Sequence, residues 1–143
     1  FFVPLHPNKI IREPFHKAFK NNPNIFLSES LDYEDLLYVM KNSKSILTDS
    51  GGIQEEAPSL EKPVLILRNT TERPEGLESG AARLIGTDSE RIFIETNKLL
   101  EDSNLYPLMS KASNPYGDGK ASERIVDIYL NQIKENKFKK SKI

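Results

Sequence analysis

The sequence predicts an α/β fold in which a parallel sheet is flanked by helices, and three observations predict it. Five apolar runs of strand length, at 1–5, 24–27, 45–48, 63–67 and 82–85, are mostly separated by segments with helical spacing, an alternation that indicates βαβ units. The fourth run, PVLIL, is apolar at every position, as expected of a strand covered on both faces. Beyond Gly86 the apolar spacing is helical throughout.

Taken in order, the first run ends at His6-Pro7-Asn8 and leads into an amphipathic segment over 9–20, with Ile10, Phe15, Ala18 and Phe19 near helical spacing. Pro14 falls inside it, so a helix here either kinks or begins there, with Glu13 held out of the α region by the following ring. Asn21-Asn22-Pro23 is a break before the second strand. Asp32 caps a helix over 33–42 whose Leu36, Leu37, Val39 and Met40 make an apolar face. The third strand runs into Asp49-Ser50-Gly51-Gly52, and a helix follows over 53–60. Strands at 63–67 and 82–85 complete the sheet. Asp88 or Ser89 caps a helix through Leu100, with Ile92, Phe93, Thr96, Leu99 and Leu100 inward, and a second helix spans 102–112. Asn114-Pro115-Tyr116-Gly117-Asp118-Gly119 interrupts the pattern. A last helix from Lys120 to about Glu135 carries Ile125, Val126, Tyr129, Leu130 and Ile133, and KFKKSKI reads as a frayed basic end.

The 143 residues suit one domain able to bury roughly two thirds of its unfolded surface. Twenty Lys and Arg against 21 Asp and Glu leave a net charge of −1, so no global field argues for nucleic acid and any charged ligand must be held locally. With no cysteine, disulfides, thiolate catalysis and Cys-type zinc sites are excluded, which is compatible with a reducing cytoplasm. His6 and His16 have no recognisable metal spacing. No apolar run approaches the roughly 20 residues that span a bilayer, and the opening FFVPLHPNK lacks the order of a signal peptide. The chain opens without methionine in what reads as the middle of a strand; the expectation is a piece of a longer protein.

The chemistry is concentrated where the third strand hands over to a helix, in SILTDSGGIQEEAPSL. The first turn of a helix has unpartnered N–H groups and about half a positive charge, and two glycines let an anion approach that backbone closely. Ser50 adds a hydroxyl, as N-cap or phosphate donor. About one turn in, Glu56 is placed to accept from a ribose diol while phosphate occupies the helix end. Equally, Ser-Gly-Gly is compatible with a plain tight turn, with Glu55 and Glu56 merely favouring the helix dipole. The turn matches neither the dinucleotide fingerprint nor the Walker A pattern. Because ligands of open parallel sheets bind at the carboxyl ends of strands, His6, the segment 28–33, the glycine turn and the polar RNTTERPEG segment gather on one edge. Arg73 supplies a fixed cation suited to bidentate phosphate contact, or else an ordinary ion pair with Glu72 or Glu75.

TDSGGIQEEAPSL, KPVL, NTTERPEGLESG, GTD and SNPYGDGKASERIV, in this order, resemble the C-terminal half of the non-hydrolysing UDP-N-acetylglucosamine 2-epimerases, and the likeness extends from Phe1 to about Ile128. The resemblance implies a GT-B protein whose second, Rossmann-like, UDP-binding domain is residues 1–130, with 131–143 a basic tail and the N-terminal domain absent. By it, Ser50, Gly51 and Gly52 hold the diphosphate, Glu56 the ribose, and Arg73 lies near the nucleotide sugar. Leu31 and Leu36 fall at the uracil pocket, where some relatives carry glutamine and an aromatic, so base recognition would rest on backbone groups. His6 is the candidate for a second, activating UDP-N-acetylglucosamine, beside a plain helix-initiating role. The implied reaction is C2 epimerisation to UDP-N-acetylmannosamine by elimination of UDP and readdition, without NAD, other cofactor or metal. The proton-transfer groups are expected upstream, so no catalytic residue is assigned here and the fragment alone is expected to be inactive. A cytoplasmic homodimer serving cell-surface polysaccharide synthesis is the implied setting, with no nucleic-acid or membrane partner. The competing readings are the donor domain of a GT-B glycosyltransferase and a non-catalytic UDP-sugar-binding module. Hydrolysing epimerases share the fold but in general lack the TTERPE segment present here.

Overall fold

The computed structural model describes residues 1–140, with side chains described as far as Ile133. The chain divides into two compact units, Phe1–Ser43 and Lys44–Ile143.

The first unit alternates strand β1 (Phe2–Pro4), helix α1 (Lys9–Phe19), strand β2 (Phe26–Ser28) and helix α2 (Tyr33–Asn42). β1 and β2 pair in parallel with Phe2 opposite Phe26, their rings stacked at 5.3 Å. β2 starts at Phe26 rather than Asn24 because the Asn24 N–H is taken by the Asn22 side chain at 3.0 Å, which prolongs the turn. Asn8 starts α1 by accepting from the Ile10 N–H at 3.0 Å. The helix therefore begins before Pro14 and not at it, and Glu13 is helical despite the ring behind it. Asp32 caps α2, accepting from Asp35 N–H at 3.0 Å, as expected of an acid before an apolar-faced helix.

The second unit contains β3 (Ile46–Thr48), α3 (Gly51–Glu56) continued by a 3₁₀ turn (Ala57–Leu60), β4 (Val64–Ile66), α4 (Pro74–Glu78), β5 (Ala82–Leu84), α5 (Ser89–Glu101), α6 (Leu105–Ser110) and α7 (Ala121–Lys140). Its strands run in parallel in the order β3-β4-β5, with Ile46 opposite Val64 and Val64 opposite Ala82. Pairing is parallel within each unit, and the five predicted strands fall into a ladder of two and a ladder of three. β4 is central, and the exposure of Val64, Leu65 and Ile66 is 1% or less, the burial its unbroken apolar pattern required. Leu65 and Ile85 pack with Leu99 of α5 and Met109 of α6, and Leu47, Ile92 and Tyr106 close around them. Such a core contributes about 1.5–3 kcal/mol per buried large aliphatic side chain.

Three expectations are corrected here. The helix after the third strand starts at Gly51, so both glycines lie inside its first turn, and it tightens to 3₁₀ after Glu56, where Pro58 has no N–H to continue the α pattern. On α5 the buried stripe is Thr96 and Leu99 with Ile92 beside them, whereas Phe93 and Leu100 are exposed. The last helix continues past Glu135 to Lys140, with Ile125, Val126, Tyr129 and Leu130 exposed. The predicted tail residues 141–143 lie outside the described residues. No described helix is long and apolar enough to cross a membrane.

Candidate functional site

β3 delivers the chain to α3 through a short polar link. Thr48 is buried, and its hydroxyl accepts from the Ser50 N–H at 3.0 Å. Ser50 is the extended N-cap residue, and its side chain makes no capping bond. Of the two sequence roles for its hydroxyl, capping is therefore not used. Gln54 N–H closes on Ser50 O at 3.3 Å, so the N–H groups of Gly51, Gly52 and Ile53 precede the first helical bond. Among the described residues no hydrogen bond uses them, as the geometry of a helix start requires.

Neither Gly51 nor Gly52 has a positive φ, so the absence of a side chain serves space rather than backbone conformation. A Cβ at Gly51 would lie 2.8 Å from Arg73 Nη1 and 2.9 Å from its Cζ. At Gly52 a Cβ would meet no protein atom within 4 Å.

Arg73 precedes Pro74 as the N-cap residue of α4. Its Nε donates to Glu55 on α3, and its Nη1 to Glu72 at 2.5 Å. The ion-pair reading of the polar segment holds for Glu72, and Arg73 also lies against the glycine turn. The hydrogen bond to Glu55, followed by the charges of Glu55 and Glu72, pushes the guanidinium further above its ordinary value. Glu72 is held below the usual carboxylate range, chiefly by its own backbone N–H, with Arg68 at 2.9 Å and Arg73 adding to the effect. Glu56, the last residue of α3, is half-buried, and its carboxylate forms no hydrogen bond or ion pair among the described residues.

Residues that sequence reasoning passed over frame this cluster. Thr71 Oγ1 donates to Gln54 Oε1 at 2.7 Å and accepts from the Arg73 N–H at 3.2 Å, tying the polar segment to α3. Gln54 is 1% exposed. Tyr116 brings its hydroxyl against α4, where a Cβ at Gly76 would lie only 2.6 Å from it. Burial pushes the phenol up, while a hydrogen bond with the Gly76 backbone opposes the shift. The signal for Glu55 was present in Gln54-Glu55-Glu56, but only the helix phase separates two adjacent acids.

The other predicted residues lie in the first unit. His6 is exposed after β1, and its Nδ1 accepts from the Asn8 N–H at 3.2 Å, the geometry of its helix-initiating alternative. Leu31 is half-buried just before the Asp32 cap, and Leu36 is half-buried on α2. Among the described residues no three His, Cys, Asp or Glu side chains are grouped to hold a metal.

A family model described as UDP-N-acetylglucosamine 2-epimerase matches residues 1–130. The chain belongs to this 2-epimerase family. The UDP-N-acetylglucosamine 2-epimerase of Bacillus subtilis is 54% identical to it over 127 residues, which are 89% of this chain and 33% of the relative. The chain spans about a third of the length of the curated epimerases it matches. The S. aureus MnaA-UDP structure has a TM-score of 0.85 at 51% identity, covering 91% of this chain and 36% of that one. The Neisseria meningitidis 2-epimerase bound to UDP-GlcNAc has a TM-score of 0.86 at 44% identity, covering 92% and 35%. The parallel strands and flanking helices are Rossmann-like and match the corresponding third of these GT-B-type 2-epimerase structures.

Proposed function

We propose that this chain is the UDP-binding part of an enzyme that interconverts UDP-N-acetylglucosamine and UDP-N-acetylmannosamine by inverting C2. The observation that carries the reading is the first turn of α3, where three uncommitted backbone N–H groups, two residues without Cβ and the Arg73 guanidinium converge. In relatives of the same fold, UDP and UDP-GlcNAc are the bound molecules.

The chemistry asks for what this cluster offers. Removing the C2 proton breaks the bond from C1 to the diphosphate, which departs with the electron pair and leaves a C1–C2 double bond; readdition with protonation on the other face completes the inversion. The negative charge that grows on the diphosphate is stabilised by fixed donors, the amides of Gly51, Gly52 and Ile53, the Ser50 hydroxyl and Arg73, which need no reorganisation as it develops. Glu56 accepts from the ribose hydroxyls. Leu31 and Leu36 with the base, and His6 with an activating second nucleotide sugar, are assigned on family resemblance alone. Proton transfer at C2 falls to residues of the whole enzyme outside this chain. A dimeric cytoplasmic enzyme feeding cell-surface polysaccharide synthesis fits this activity.

The test is full-length protein given UDP-N-acetylglucosamine and no acceptor, with products separated by chromatography. UDP-N-acetylmannosamine is the expected product. Turnover only when an acceptor sugar is added would instead mark a glycosyltransferase, and unchanged C2 stereochemistry under both conditions a binding module.

A further inference from the structure

Two acids stand side by side on α3, and the nucleotide reading uses only Glu56. A second carboxylate next to a diphosphate repels it, so Glu55 is unfavourable there unless it serves another end. Its side chain is 45% exposed and accepts from Arg73 Nε, while Glu72 accepts from Nη1 at 2.5 Å. Among the described residues the Nη2 hydrogens have no partner, and Nη2 lies 3.2 Å from where a Cβ of Gly51 would be. The Arg73 backbone is tied to the same helix one residue earlier, through Thr71 to the buried Gln54. Main chain and side chain of Arg73 therefore both take their position from the helix whose first turn holds the glycines. Arginine has a long side chain whose rotamer freedom is lost on binding, and fixing it beforehand lowers that loss.

We infer that Glu55 is a positioning residue: it holds the Arg73 guanidinium over Gly51 so that the free Nη2 donors meet the diphosphate of the nucleotide sugar. The inference rests on the UDP reading of the α3 turn.

Charge and positioning predict opposite outcomes, which makes the idea testable. In the full-length protein, UDP affinity is measured by calorimetry for wild type, Glu55→Ala, Glu55→Gln, Arg73→Ala and the Glu55→Ala/Arg73→Ala double variant, with a thermal melt of each. Glu55→Gln keeps an oxygen for the Nε–H and loses the repelling charge, so it should bind UDP at least as tightly as wild type. Glu55→Ala loses both and should weaken UDP about tenfold, the scale of one charge-assisted hydrogen bond. Placed on Arg73→Ala, the Glu55→Ala change should cost nothing further, because it acts through the arginine. Tighter binding by both single Glu55 variants, or the same loss with and without Arg73, would overturn the positioning role and leave the UDP site intact. An Arg73→Ala protein that binds UDP as wild type does would instead remove the UDP reading of this cluster, and the inference with it.

Discussion

At residue scale the two glycines of the α3 turn make separable demands. Gly51 is bounded by the protein, since any side chain there meets the Arg73 guanidinium. Gly51→Val should displace that cation and fill the anion's approach, lowering UDP affinity at least about tenfold with only a few degrees lost in the melt; unchanged calorimetric binding would make the turn purely structural. Gly52 is bounded by nothing within 4 Å, so Gly52→Ala isolates the ligand's own demand. A helical Gly→Ala change at a compatible φ stabilises by about 0.4–1 kcal/mol, so this variant should melt no lower than wild type yet bind UDP more weakly. Equal affinity would place the phosphates elsewhere. Glu56 has no protein partner among the described residues, so Glu56→Ala removes no internal contact. UDP affinity should fall about tenfold, given roughly 1.5–3 kcal/mol for a hydrogen bond to a charged group, whereas affinity for inorganic diphosphate should hold.

Among the elements, those whose local chemistry decides them were legible and those decided by distant contacts were not. Asp32 and Asp88 stand before amphipathic runs, and both carboxylates cap as that position implies, Asp88 accepting from the Arg91 N–H at 2.9 Å. β4 was legible because an unbroken apolar run has few other uses in a short chain. α4 was not, because Pro74-Glu75-Gly76-Leu77-Glu78 is polar and short; it is held by Tyr116 from a distant loop, a contact no local window contains. For the same reason the turn's amides and Arg73 were foreseeable as separate features, while the Glu55 and Gln54 ties between them were not. α5 permits a test of the legible kind. Its Leu99 and Ile92 help close the core over Leu65, so Asp88→Ala should cost about 1 kcal/mol and lower the melting midpoint by about 4 °C. UDP affinity should not move, since among the described residues no hydrogen bond joins α5 to the α3 turn. A loss of binding without a loss of stability would show that the cap serves the site and not the fold.

On the scale of the whole molecule, binding and chemistry separate. With a net charge of −1, the chain has no general field to draw in a dianionic nucleotide, so the proposed site has to rely on one helix start and one arginine that two carboxylates already partly neutralise. In the function proposed above, such a site stabilises the leaving group and is assigned no proton transfer at C2. Elimination needs both at once, because stabilising the diphosphate leaves the C2–H barrier in place. The 143-residue chain, about a third the length of its curated relatives, should therefore bind UDP more weakly than the intact enzyme. Incubated with UDP-N-acetylglucosamine in deuterated water, it should give neither UDP-N-acetylmannosamine nor deuterium at C2. Deuterium incorporation is the sharper readout, because it reports proton removal even when readdition returns the starting sugar. Exchange at C2 catalysed by this chain and abolished by Arg73→Ala would place a base among these residues and overturn the division of labour proposed here.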